Sequence, residues 1–195
     1  MALRIFTALA ALLVPLMAAG VAQAADQAAL WEALRTQPNM VVVMRHGEIA
    51  GGRSATRYDE SGNCRGENML TRKGRVQSED VGKLFAANGL PPEKLNVVSS
   101  AMCRTRDTAL AAFGKAELDP ELREFMSGGG ERMNEAMDAA EAWIRKLRGD
   151  QPLILITHFP NIDALTAEQI EYGQAIVAES DEQGYLDVVG ILEMY

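Results

Sequence analysis

The chain has 195 residues, 48% of them hydrophobic and 24% charged, a usage that excludes disordered, fibrous and low-complexity architectures. A formal net charge of −8 sets most of the surface against a nucleic-acid backbone, so an anionic ligand has to be held by a local basic pocket. Only two histidines, His46 and His158, are present, and imidazole chemistry has just those two places to occur.

Residues 1–24 read as an export leader. One cation, Arg4, precedes an apolar run from Ile5 to Met17 and the small-x-small sequence Ala22-Gln23-Ala24. The stretch from Ile5 to Ala24 approaches the length of a bilayer span, but Pro15, Gly20 and the small residues favour cleavage over anchoring. The mature chain, 25–195, is then 171 residues long, one domain of ordinary size, expected in the periplasm or outside the cell with no stable membrane insertion.

Val41-Val42-Val43-Met44 has no polar alternation, which predicts a strand buried on both faces. The segment from Gly51 to Asn68, with Arg53, Arg57 and Arg65, reads as a loop over a pocket mouth. Thr71 is placed to cap a helix running to about Asn88, closed by Gly89, Pro91 and Pro92. A second strand follows from Leu95 to Ser99, then a helix from about Met102 to Phe113 ended by Gly114. Ser127-Gly128-Gly129-Gly130 lacks the Lys-Ser/Thr ending of a nucleotide P-loop and reads as a turn.

Met133, Met137, Ala140, Ile144 and Leu147 recur at helical spacing and predict one buried stripe, with the methionines as core filler. Leu153-Ile154-Leu155-Ile156 is a third apolar strand, and Gln174 to Glu179 with Tyr185 to Met194 form an edge hairpin. Strands alternating with helices make this an α/β chain with a largely parallel sheet.

Cys64 and Cys103 are the only cysteines. In an oxidising compartment they are a candidate disulfide tying the loop after the first strand to the segment carrying Arg104; two free thiols is the equal alternative. A cysteine nucleophile is disfavoured, because it needs a base and both histidines have other work.

Ligands of open α/β sheets bind beyond the carboxyl ends of the strands. His46 lies there in Arg45-His46-Gly47-Glu48, His158 in Thr157-His158-Phe159-Pro160, and Arg104 four residues past Ser99-Ser100. Guanidinium forks suit phosphate oxygens, and imidazole is a competent nucleophile that neighbouring cations keep neutral. Histidines flanked by arginines make a poor cation site, and no cluster with zinc spacing is present, so no metal is expected.

The motif Arg45-His46-Gly47-Glu48 at a first strand end resembles the signature of the histidine phosphatase superfamily, whose fold is phosphoglycerate-mutase-like. The stretch from Ser100 to Ala109 resembles its second motif, Leu122-Arg123-Glu124 the segment with its proton donor, and Thr157-His158 the segment with its second pocket histidine. The resemblance runs from about Val41 to Thr166. It implies a three-layer sandwich, a mostly parallel sheet with helices on both faces. It also implies a cofactor-independent phosphatase in which His46 takes the phosphoryl group, Arg45, Arg104 and His158 bind it, and Glu124 gives the proton. Glu121, Glu48 and Asp107 are the alternative acids.

With its leader, Thr157-His158 and compact size, the chain is similar to a periplasmic subgroup of that family, which includes phosphatases of lipopolysaccharide core heptose phosphate. The substrate implied is a small phosphorylated molecule, a sugar or envelope phosphate. A mutase or phosphotransferase would pass the phosphoryl group to another hydroxyl, which export disfavours. A non-catalytic module binding a phosphorylated ligand is the third reading.

Overall fold

Six strands form one sheet: β1 (Met40–Arg45), β2 (Asn96–Ser100), β3 (Glu117–Asp119), β4 (Leu153–Thr157), β5 (Ala175–Ser180) and β6 (Leu186–Leu192), in the spatial order β3-β2-β4-β1-β5-β6. The computed structural model describes residues 19–51, 57–125 and 130–194. Residues 1–18 of the predicted leader, Arg53, and Ser127-Gly128-Gly129 of the predicted turn lie outside the described residues. Strands β3, β2, β4 and β1 are mutually parallel, β5 is antiparallel to β1, and β6 to β5. The sheet is therefore mixed and mostly parallel.

Alternation along the central strands divides the interior in two. Val42, Met44, Ile154 and Ile156 pack with Leu34, Val81, Phe85 and Phe113, the inner faces of α1 (Ala19–Thr36), α2 (Arg72–Ala87) and α3 (Cys103–Phe113). Val41, Val43, Leu153 and Leu155 pack on the other side with Ala140, Ile144 and Ile162 of α4 (Glu131–Lys146) and α5 (Phe159–Thr166). Each such side chain, fully buried, contributes roughly 1.5–3 kcal/mol, and the result is three layers. Among the described residues no helix is long and apolar enough to cross a membrane.

Local signals end the helices where expected. Thr71 Oγ1 accepts from the Gly74 amide at 2.9 Å and starts α2, while Gly114 closes α3 in the left-handed region at φ 68°. The stripe on α4 differs from its reading: Ala136, Ala140 and Ile144 are its buried line, and Met133 and Met137 are only half-buried. Small side chains face the sheet there, and the methionines border the contact instead of filling it. Three elements escape the sequence patterns: α1, the three-residue β3, and α5, whose Pro160 lies in the first turn, where a missing amide proton costs nothing.

The outer strands are finished differently. Beside β6, the Gln27 side chain donates from Nε2 to Ile191 O at 2.8 Å and accepts at Oε1 from the Glu193 amide at 3.0 Å. Cys64 and Cys103 are disulfide-bonded, Cα to Cα 5.8 Å, so of the two alternatives the structure has the pair.

Candidate active site

Three adjacent parallel strands, β2, β4 and β1, end on one side of the sheet and deliver the charged and imidazole groups. Arg45 is the last residue of β1, in register with Thr157 of β4, and the His46 amide donates to Thr157 O at 3.3 Å. His158 caps α5 directly after β4, and Arg104 is the second residue of α3 after β2. The imidazoles of His46 and His158 lie 5.5 Å apart, centroid to centroid. All four groups are buried, Arg104 to 1% exposure and His158 to 0%.

The glycine after His46 has a packing reason. A Cβ on Gly47 would fall 2.5 Å from Gly74 O, and one on Gly74 would fall 2.0 Å from Glu48 O, so the start of α2 and the loop after β1 touch backbone to backbone. The Gly47 amide donates to Thr108 Oγ1 at 3.0 Å, and that hydroxyl donates to Arg104 O at 2.8 Å. The loop carrying His46 is thereby tied to the helix carrying Arg104.

His46 Nδ1 lies 2.9 Å from Gly47 O. A carbonyl can only accept, so Nδ1 carries the proton and Nε2 keeps its lone pair. Burial first, then Arg104 and Arg45, lower the His46 pKa to about 3, against the opposing pull of the Gly47 hydrogen bond. His158 is held well below its ordinary value by burial, Arg104, His46 and Arg45. Its Nε2 is 2.9 Å from Ser100 Oγ, which already accepts from the Met102 amide at 3.3 Å. His158 Nδ1, at the other side of the ring, is buried without a partner among the described residues.

Arg104 uses one nitrogen inside the fold: Nη2 donates to Glu124 Oε2 at 2.5 Å. Its Nε and Nη1 are buried without a partner among the described residues. Leaving such donors unmade costs about 1–3 kcal/mol each, and native chains keep few of them. Beside two neutral imidazoles these unused cationic donors suit an oxyanion.

Glu124 is set apart from the other acids by its surroundings. Burial raises its pKa and outweighs Arg104 and Arg45. Glu121 is paired with Arg132 at 2.6 Å and Arg123 at 3.2 Å, and Glu48 with Lys73 at 2.8 Å; both pKa values are lowered, chiefly by those hydrogen bonds. Asp107 is paired with Arg106 at 2.9 Å. Asn161, buried, donates from Nδ2 to Leu122 O at 3.2 Å and to Arg123 O at 3.4 Å, steadying the strip that ends in Glu124.

The loop before α2 borders the site, with Tyr58 beneath the Arg123 guanidinium at 6.0 Å. Buried Glu67 anchors it, Oε1 accepting from the Asp59 amide at 2.9 Å and Oε2 from the Cys103 amide at 2.7 Å. Arg57 and Arg65 are exposed there. Ser100, Asn161, Glu67, Phe159 and Tyr172 were not singled out for the site by the sequence; none belongs to a spacing pattern, and only the position of Asn161 one helical turn after His158 could have drawn notice. Among the described residues no three His, Cys, Asp or Glu side chains gather as cation ligands.

Residues 41–188 match the model of the histidine phosphatase superfamily (branch 1). No curated protein matches the chain. Among solved structures, the protein histidine phosphatase SixA complexed with tungstate is similar in fold, with a TM-score of 0.56 at 16% identity, 79% of this chain and 96% of that one covered. YhfR from Bacillus stearothermophilus superposes with a TM-score of 0.58 at 16% identity over 77% and 95% of the two chains. Mycobacterial hydrolase 1 gives 0.56 at 15% identity over 78% and 96%.

Proposed function

The chain belongs to the histidine phosphatase superfamily, and from that premise we propose that it is an exported phosphatase hydrolysing a small phosphomonoester through a phosphohistidine on His46. The family supports a phosphatase- or mutase-type enzyme. The observation that carries the finer reading is the pair of unpartnered, buried Arg104 donors beside an imidazole whose Nδ1 proton is engaged by Gly47 O.

His46 Nε2 attacks phosphorus in line, forming an N–P bond as the P–O bond to the alcohol breaks. Protonated Glu124 gives its proton to the departing oxygen, a task suited to a carboxyl of raised pKa. Arg45, Arg104 and the Nδ1 proton of His158 stabilise the charge on the other phosphoryl oxygens. Ionised Glu124 then takes a proton from water, whose oxygen attacks phosphorus; the N–P bond breaks and neutral His46 returns with inorganic phosphate.

The tungstate complex of the similarly folded SixA supports a tetrahedral oxyanion as the ligand. The leader at 1–24 supports export and, with it, a sugar or envelope phosphate as substrate. The test is turnover of a panel of phosphate monoesters by the purified protein beside His46→Ala, with acid-stable or base-stable phosphoryl-protein separated after a quench. The expected result is a base-stable phosphoryl group on the parent and none on His46→Ala. Parent-like turnover by His46→Ala would remove the proposal, and conversion of an added alcohol to its phosphate ester in place of inorganic phosphate would favour the mutase reading.

A further inference from the structure

Residues 167–174, between α5 and β5, enclose the end of β1 with both backbone and side chain. The Arg45 amide donates to Gln174 O at 3.1 Å, the Gly173 amide to His46 O at 3.1 Å, and Arg45 Nη1 to Ile170 O at 2.8 Å. Gly173 takes a left-handed conformation, φ 74°, which turns the chain so that Tyr172 meets the site. The Arg45 guanidinium carbon lies 3.9 Å from the Tyr172 ring centroid and 5.0 Å from that of Phe159. The same Tyr172 ring is 5.5 Å from the His46 ring, tilted by 39°.

An arginine that reads an anion with a planar fork works only when that plane is set beforehand. The bond from Nη1 to Ile170 O holds one corner of the guanidinium. A flat, electron-rich ring face 3.9 Å from its central carbon sets the tilt of the plane. We infer that Tyr172 is a positioning residue, whose ring face fixes the plane of Arg45 so that the guanidinium presents its fork to the phosphoryl group. This rests on the phosphate reading of the site. Tyr172 acts through Arg45, and its hydroxyl is dispensable.

The experiment measures binding of inorganic phosphate by calorimetry, which needs no turnover. Tyr172→Phe should bind within about 2-fold of the parent. Tyr172→Leu, and a pentafluorinated phenylalanine at the same position that keeps ring shape but inverts its face charge, should bind roughly 3- to 30-fold more weakly, the range of a partly buried cation–π contact. Thermal melting identifies any variant that has lost its fold, and the fluorinated ring serves where leucine does so. In an Arg45→Lys background the Tyr172→Leu loss should shrink, since the planar group it orients is gone. Unchanged binding by the leucine and fluorinated variants, a Tyr172→Phe loss as large as theirs, or the same loss in the Arg45→Lys background would each overturn the inference. A parent chain that binds no phosphate would remove the functional reading itself and this role with it; a parent that binds while Tyr172 proves indifferent removes this role alone.

Discussion

Glu124 Oε2 sits 2.5 Å from Arg104 Nη2, yet its carboxyl is held above the usual range because burial outweighs the neighbouring cation. The pair places a carboxyl of raised pKa against the same guanidinium whose Nε and Nη1 are buried without a partner among the described residues. Glu124→Gln should therefore lower kcat on alkyl phosphates by about 10²- to 10⁴-fold, the usual scale of general-acid help. An aryl phosphate whose leaving group needs no proton should be far less affected in its first step. The alkaline limb of kcat/KM should fall as pH rises through the raised Glu124 pKa, because the acid form is the active one. Equal losses on both ester classes would take the proton-donor role away from Glu124.

Two imidazoles buried in neutral form make stability depend on acidity. Their pKa values are depressed in the fold, His46 to about 3 and His158 well below its ordinary value, whereas in the unfolded chain they return to about 6.5. Below that value the unfolded state holds more protons, so stability is fully present above it and is lost as pH falls toward 3. The slope is up to ~1.4 kcal/mol per pH unit for each histidine. Glu124, with its raised pKa, acts in the opposite sense and is most favourable at the acid end. Urea unfolding from pH 7.5 to 4 should show the decline, and His158→Gln should flatten it; equal slopes in parent and variant would contradict neutral burial.

A His158 that offers an Nδ1 proton to the phosphoryl group, as proposed, needs Ser100 Oγ to donate to Nε2 while it accepts from the Met102 amide. Ser100→Ala removes one neutral hydrogen bond, so a loss of roughly 2- to 10-fold in kcat is expected, with Ser100→Thr restoring most of it. Nitrogen NMR of His158 should show a single Nδ1-protonated form in the parent and a mixture in Ser100→Ala. A parent spectrum with the proton on Nε2 would reverse the assignment.

The Cys64–Cys103 bond closes a span of 39 residues. Loop-closure entropy for that length gives about 4 kcal/mol of stabilisation. Cys64→Ala with Cys103→Ala, or reduction by a dithiol, should lower the unfolding free energy by about that amount in denaturant. A change under about 1 kcal/mol would mean that Glu67 already holds the loop without the covalent link.

The parts of the site read from sequence share one property: each follows a short apolar run, so burial announces the strand and the polar residue after it marks the strand end. His46 after β1, His158 after β4 and Arg104 beyond β2 are of this kind. Glu124 is different. It follows a 3₁₀ turn, Pro120–Leu122, and was found through resemblance to a family motif; its distinction from Glu121 and Glu48 lies in burial that no linear pattern carries. Tyr172 and Asn161 lie further out of reach, since their work consists of contacts made only after β1 and the Leu122–Glu124 strip are brought beside them. β3 was hidden because its three residues are mostly exposed and make no apolar run.

Gln27 has a consequence for the life of this molecule at high concentration. An amide side chain has the donor and acceptor of a peptide unit, and it engages Ile191 near the end of β6 and Glu193 just past it. The opposite flank offers only the three residues of β3. With those two groups taken and the other flank only three residues long, the sheet offers a shortened template for an added strand.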